Sequence, residues 1–292
     1  MSHKIGVVDV GGGFRGIYAA GVFDYCLDNN ITFDLCIGVS AGSANIASYM
    51  ANQPRRNYKF YTEYGMRKEY ASFNNFIKKG SFIGLDYIYG TLSNSNGEYP
   101  LNYNAIINNP TEMFVVATEA NTGKAKYFSK NDLSLDNYHI LKASSAIPYV
   151  CKPYTIDGIP YYDGALADPV PIEKAFLMGC DKVIVILTLP EDQIRLVGKD
   201  NFLAARIRKK YPLAADELER RAMKYNAGVV LAKHYSKQGN VLIVSPDNTC
   251  GVSTLSRKAD AIKMLYQKGY RDGEKILAFT KLQINNTEHK PR

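Results

Sequence analysis

Short apolar, β-branched runs alternate with helix-periodic stretches along the first part of the chain. Residues 4–10 (Lys-Ile-Gly-Val-Val-Asp-Val) read as a buried strand and 17–27 as a helix carrying Ala20, Val22, Phe23 and Leu27. Residues 34–39 read as a second strand that runs into a helix over 44–50. This order predicts an α/β fold: a parallel-rich central sheet with helices on both faces. Further on, strands are expected over 113–119 and 125–128, joined across Asn121-Thr122-Gly123, and a hairpin over 154–161 turns at Asp157-Gly158. A short helix over 137–146 is stopped by Pro148. A helix over 171–178, a strand over 182–188, amphipathic helices over 200–211 and 214–237, a strand over 240–245 and one closing helix over 254–281 complete the pattern.

Two stretches depart from it. Residues 55–79 are polar and aromatic and predict two helical pieces broken near Gly65. Residues 80–104, rich in Gly, Asn, Ser and Tyr, have no clear period, and a loop of that length in a compact domain predicts a lid or binding segment. With no repeat and no long linker, the expectation is one domain over 1–292, in which 190–292 form a mainly helical C-terminal extension packed on the rest.

Composition narrows the function. The chain has 292 residues, 46% hydrophobic, enough for a large core. No apolar run reaches the roughly 18 residues of a membrane span. The start, Met1-Ser2-His3-Lys4, lacks the succession of a signal peptide. Five scattered cysteines without a C-x-x-C pair read as reduced core thiols of a cytoplasmic protein. Four scattered histidines, with no H-x-x-x-H and no carboxylate cluster, predict no metal and no other cofactor. A net charge of +8 favours anionic partners, but no nucleic-acid-binding module accompanies it. The run Arg206-Ile207-Arg208-Lys209-Lys210, on a stretch with Phe202 and Leu203, is either a solvated helix face or a basic amphipathic surface for peripheral contact with anionic membrane.

The chemistry gathers at Gly38-Val39-Ser40-Ala41-Gly42, a G-x-S-x-G between a predicted strand and a predicted helix, the context of a nucleophile elbow. Glycines flank a serine that must sit on a tight turn, and the helix start aims the amide of Ala41 at negative charge forming beside the hydroxyl. Such a serine needs an oxyanion site and a base. Gly11-Gly12-Gly13, after the first strand, exposes backbone N–H groups at a helix mouth. Gly11-x-Gly13-x-x-Gly16 also fits a dinucleotide fingerprint, but its acidic partner, Asp34, opens the second strand where the fingerprint needs it at the far end. For the base, Asp163 in Tyr162-Asp163-Gly164-Ala165 ends a hairpin arm and is followed by residues small enough for close approach.

Taken in order, Gly-Gly-Gly-x-Arg15-Gly16, Gly38-x-Ser40-x-Gly42 and Asp163-Gly164-Ala165 resemble the patatin-like phospholipase family, and Ala143-Ser144-Ser145-Ala146-Ile147-Pro148 resembles the segment that family carries upstream of its aspartate. Asp168-Pro169-Val170-Pro171, the strand at 182–188, and Arg221 through Tyr225-Asn226 extend the likeness to the bacterial branch; Ala165 stands where many members have Gly. The resemblance implies a patatin-like Ser–Asp hydrolase architecture. It makes Ser40 the nucleophile and Asp163 the base, Gly11, Gly12, Gly13 and Ala41 oxyanion donors, and Arg15, Gly16, Gly38, Gly42 and Gly164 motif-supporting residues. The substrate implied is a phospholipid or other lipid ester. Two alternatives stand beside it. One is a Ser–Asp–His esterase, for which only His234 and His289 follow the acid, His289 in a polar tail at 285–292 expected to be disordered. The other is a non-catalytic nucleotide- or lipid-binding module using the Gly11–Gly13 loop.

Overall fold

The computed structural model describes residues 3–255 and 258–287, so His289 lies outside the described residues. β1 (Ile5–Asp9), α1 (Ile17–Asp28), β2 (Leu35–Val39) and α2 (Ala41–Met50) open the fold. α3 (Arg56–Thr62), α4 (Phe73–Lys79) and α5 (Tyr103–Asn108) follow, then β3 (Glu112–Glu119), β4 (Ala125–Ser129), α6 (His139–Ser144), β5 (Tyr154–Ile156) and β6 (Ile159–Asp163). α7 (Ile172–Leu177), β7 (Lys182–Ile186), α8 (Asn201–Arg208), α9 (Pro212–Lys237), β8 (Val241–Val244), α10 (Ala259–Asp272) and α11 (Glu274–Thr287) complete it.

The strands form one eight-stranded sheet, in the order β5-β6-β3-β2-β1-β7-β8 with β4 also on β3. β3, β2, β1, β7 and β8 are mutually parallel. Their continuous apolar runs are explained by burial on both faces. Val7 and Cys36 enter the core on one side, with α1 and α2, while Val8, Leu35 and Ile37 enter the core on the other, with Ile172 of α7 and Tyr225 and Val229 of α9. This is the α/β architecture that the pattern predicts.

One feature of the sheet positions the site. β4 pairs with β3 along 114–118, occupying one edge, so β2 and β6 share the other in succession: Val39 opposes Val116 and Asp163 opposes Ala117. The residue after Val39 and the last residue of β6 therefore meet beside adjacent rungs of β3. Gly164 permits the approach, since a Cβ there would lie 2.2 Å from the Val116 carbonyl oxygen.

Two expectations differ from the structure. The single closing helix is two, α10 and α11, meeting at Gly273, and residues 254 and 255 lie in a turn before them. A side chain at Gly273 would collide with Tyr25, its Cβ falling 2.6 Å from that of the tyrosine. Within 80–104, read as a loop, Tyr87–Leu92 forms a π-helical turn, whose wider spacing leaves no 3.6-residue period to detect.

Candidate active site

Ser40 links β2 to α2 with φ 57° and ψ −128°, a conformation that costs a non-glycine residue on the order of 1–3 kcal/mol. The surroundings hold it there. Its N–H donates to Ser144 Oγ at 2.9 Å, and its carbonyl accepts from the Ser43 hydroxyl at 2.6 Å and the Ser43 N–H at 2.9 Å. Side chains are excluded on both flanks: a Cβ on Gly38 would lie 2.5 Å from Ser43 Cα, and one on Gly42 2.3 Å from the Asp9 carbonyl oxygen.

The glycine loop lies against this elbow. Gly11, Gly12 and Gly13 have φ of 65°, 127° and 60°. The Cβ position of Gly11 is 3.0 Å from the Ala41 nitrogen and 2.9 Å from that of Gly42, so loop and helix start are in contact. Thr188, just past β7, donates its hydroxyl to the Gly11 carbonyl, and Phe14 N–H donates to the Thr254 carbonyl at 3.0 Å. The Gly11 N–H is already committed, since it donates to Asp9 Oδ1 at 2.9 Å. Of the glycine amides expected as oxyanion donors, those of Gly12 and Gly13 remain. Arg15 reaches Thr254 Oγ1 at 3.0 Å, and Gly16, whose Cβ would fall 2.5 Å from the Tyr61 hydroxyl oxygen, lets that tyrosine close over the loop.

Asp163 is 2% exposed. Its Oδ1 accepts from Ala165 N–H at 2.9 Å, while its own N–H and carbonyl are fixed to the Ala146 carbonyl and the Thr118 hydroxyl. Burial pushes its proton affinity above the usual carboxylate range, opposed in decreasing order by a hydrogen bond from Ser40, the Ala165 amide, Arg221 and Arg195. A desolvated carboxylate of this kind is a better base toward an alcohol than one in water.

Ser40, Ala41 and Gly13 open onto a cavity lined mainly by apolar side chains. Ile83, Leu85, Ile88 and Leu92, all from 80–104, line it together with Tyr61 and Leu141.

The family model of the patatin-like phospholipases matches residues 10–176, more than half of the chain, including the glycine loop, the elbow and Asp163. The chain belongs to the patatin-like phospholipase family. That is a family of lipid hydrolases, and the apolar cavity beside Ser40 suits it. Residues 211–282 match a second model, a domain of unknown function (DUF6363). The chain is similar to the uncharacterized protein YjjU of Escherichia coli (strain K12), 30% identical over 200 residues that make up 64% of this chain and 52% of that one. It thus spans about half the length of this relative. The crystal structure of VipD from Legionella pneumophila overlays it with a TM-score of 0.48 at 15% identity, over 95% of this chain and 67% of VipD.

Other expected residues lie elsewhere. Asp34 sits at the start of β2, where its Oδ2 accepts from Ile5 N–H at 2.7 Å, at the opposite end of the strand from the glycine loop. His234 is on the exposed side of α9, 3.0 Å from the Gln238 amide, and no histidine among the described residues is bonded to Ser40 or Asp163. Among the described residues, no group of three or more His, Cys, Asp or Glu side chains could hold a metal ion. The basic run is divided: Arg208 pairs with Asp216 and Glu219 of α9 at 2.6 and 2.7 Å, while Arg206, Lys209 and Lys210 are exposed.

Sequence reasoning did not assign Ser144 or Asp9. Ser144 stands in the 143–148 segment that resembles the family's, but nothing there links it to the serine that it supports, 104 residues away. Asp9 did carry a signal, being the one charge inside an apolar strand. It is fully buried, accepting from Gly11 N–H and from Asn45 Nδ2, both at 2.9 Å, and burial outweighs these bonds to push its carboxyl up to about 6. The folded state holds this proton more tightly than the unfolded chain does. The Asp9 contribution to stability is therefore complete below about pH 4 and is lost as pH rises through about 6, amounting to about 3 kcal/mol by neutrality. Asp9→Asn should remove that part of the pH dependence of urea unfolding between pH 4 and 7. An unchanged slope in the variant would show that Asp9 does not titrate there.

Proposed function

We propose that the chain is a serine lipid acyl hydrolase of the phospholipase A or lysophospholipase type, which cleaves carboxylic esters through an acyl-enzyme on Ser40 with Asp163 as base. One observation carries the reading: a strained serine beside a buried carboxylate of raised proton affinity, at an apolar cavity. Asp163 takes the hydroxyl proton as Ser40 Oγ attacks the ester carbonyl. The N–H groups of Gly12, Gly13 and Ala41 bind the oxyanion, and Asp163 returns the proton to the departing alcohol. Water then attacks the acyl carbonyl as Asp163 takes its proton, and Asp163 returns that proton to Ser40 Oγ as the acid leaves. The acyl chain occupies the cavity and, once bound, keeps water from the base. Five free thiols, four of them buried, fit a cytoplasmic protein.

The kinetic test separates this dyad from a histidine triad. Asp163→Asn keeps the side-chain shape and loses the base, so kcat/KM on a soluble p-nitrophenyl ester should fall by more than about 1,000-fold, or about 4 kcal/mol. His234→Ala should lose less than about tenfold. A folded His234→Ala protein, checked by circular dichroism, that loses as much as Asp163→Asn would replace the dyad with a triad.

Peripheral contact with anionic membrane is the second part of the proposal. Arg206 lies over the exposed Phe202 ring at 4.6 Å, giving α8 a face both cationic and apolar. Arg208 is excluded because its charge is spent on α9. Replacing Arg206, Lys209 and Lys210 together by Gln should lower activity on anionic vesicles several-fold relative to a soluble ester, and added salt should shrink the difference. Equal losses on both substrates would make the run structural.

A further inference from the structure

α4 turns an apolar face to water. Its seven residues are capped at both ends, by the Ser72 hydroxyl, which accepts from Asn75 N–H at 3.3 Å, and by Gly80 in the left-handed region at φ 68°. The helix holds Phe73, Phe76 and Ile77 at i, i+3 and i+4, on one face. That spacing ordinarily marks the side of a helix that enters the core. Here the three residues are 79%, 42% and 81% exposed. Phe73 stands edge-on to Phe82, with ring centroids 5.9 Å apart.

The patch continues beyond the helix. The Phe82 carbonyl accepts from Ser72 N–H at 3.2 Å, and Phe82 N–H donates to the Val150 carbonyl at 2.7 Å, which ties α4 to the 149–152 segment. There Tyr149 is exposed at φ 70°, an unfavourable backbone conformation for a bulky residue. Its ring meets that of Phe202 on α8 at 6.3 Å, and Arg206 lies over it at 5.7 Å. The same segments wall the cavity: Tyr70, Ile83 and Ile147, which line it, stand within three residues of Phe73, Phe82 and Tyr149. The charge in these segments has one sign. Residues 70–82, 146–156 and α8 contain no Asp or Glu. Lys78 is exposed, and Lys152 Nζ lies 2.8 Å from the Cβ position of Gly80, at the end of α4. Among the described residues Lys78, Lys152 and Arg206 form no ion pair.

We propose that α4, with Tyr149 and Phe202 beside it, forms a face that inserts into the surface of an anionic phospholipid membrane. This rests on the lipid hydrolase reading and extends it, from charge attraction at α8 to apolar insertion at α4. A membrane is the partner that fits. Phe73, Phe76 and Ile77 leave water when they enter the acyl boundary, while the lysines and Arg206 at their edge stay among the headgroups. Cations without carboxylate partners complement an anionic lipid surface. An apolar patch rimmed by such charges marks an interaction site where scattered single hydrophobic residues would not. Docking there sets the acyl cavity directly behind the lipid surface, because Tyr70, Ile83 and Ile147 belong to the segments that carry the patch.

The chain has no tryptophan, so a single one introduced into the full chain reports its own surroundings. Ile77→Trp is compared with Leu177→Trp. Leu177 is 83% exposed at the end of α7, just before β7 begins, and so lies at the end of the parallel strands opposite to Ser40. With vesicles of equimolar phosphatidylcholine and phosphatidylserine, the Ile77→Trp emission should move to shorter wavelength and be quenched by bromine-labelled acyl chains. The Leu177→Trp emission should do neither. Phe73→Ser combined with Ile77→Ser should weaken co-sedimentation with these vesicles about 10- to 100-fold, while kcat/KM on p-nitrophenyl butyrate stays at the wild-type value. Wild type should bind phosphatidylcholine vesicles more weakly than the mixed ones. A wild type that does not bind the mixed vesicles, or an Ile77→Trp emission that they leave unchanged or quench no more than that of Leu177→Trp, overturns the proposal. So does a blue shift that needs only more protein, with a doubled mass in sedimentation velocity, since the face would then join two copies of the chain. Binding is read without turnover: a wild type that inserts but hydrolyses neither the ester nor the phospholipid supports the face and fails the hydrolase reading.

Discussion

Asp163 and the residue after Val39 meet because β2 ends and β6 begins along one edge of β3, on adjacent rungs. Strand pairing fixes that meeting to within a residue, and side-chain flexibility has little to do with it. A register slip of one residue in β6 would turn Asp163 to the other face of the sheet and remove it from Ser40. Gly164, pressed on the Val116 carbonyl, and Thr118, bonded to the Asp163 carbonyl, pin the register where it matters.

The same geometry sets the electrostatics. The carboxylate is taken out of water at the end of β6, where the charges of Arg221 and Arg195 act on it. Desolvation raises its proton affinity, while the hydrogen bonds and Arg221 and Arg195 restrain the rise. Without these restraints the carboxyl would hold its proton still more tightly; one fully paired with arginine would be too weak to take a proton from an alcohol. Beneath the loop, Asp9 is a second buried carboxyl, and it ties Gly11 to Asn45 of α2, so loop and elbow move as one body.

Much of this is legible in the sequence. Parallel strands betray themselves as continuous apolar runs, and a serine between glycines at a strand–helix junction announces its own strain. Asp163 could be placed at the end of a hairpin arm, although its meeting with Ser40 depends on β3, which no local pattern links to either. What is not legible has a common cause. Ser144 under the Ser40 amide, Arg195 stacked on Tyr225, and the two-helix ending at Gly273 are all set by contacts between residues far apart in the chain. The Gly11 amide is a subtler case: its glycine reads as a donor, but Asp9, two residues earlier, has already taken the proton's direction.

The central claim is that Ser40 is a nucleophile activated by a desolvated Asp163. Covalent capture by a fluorophosphonate, followed by intact mass and peptide mapping across a pH series, tests it without choosing a substrate. The account predicts a single adduct on Ser40, absent in Ser40→Ala, forming faster as pH rises through an apparent pKa above the usual carboxylate range, with that rise abolished in Asp163→Asn. An adduct that persists in Ser40→Ala, or capture at the wild-type rate in Asp163→Asn, would contradict it.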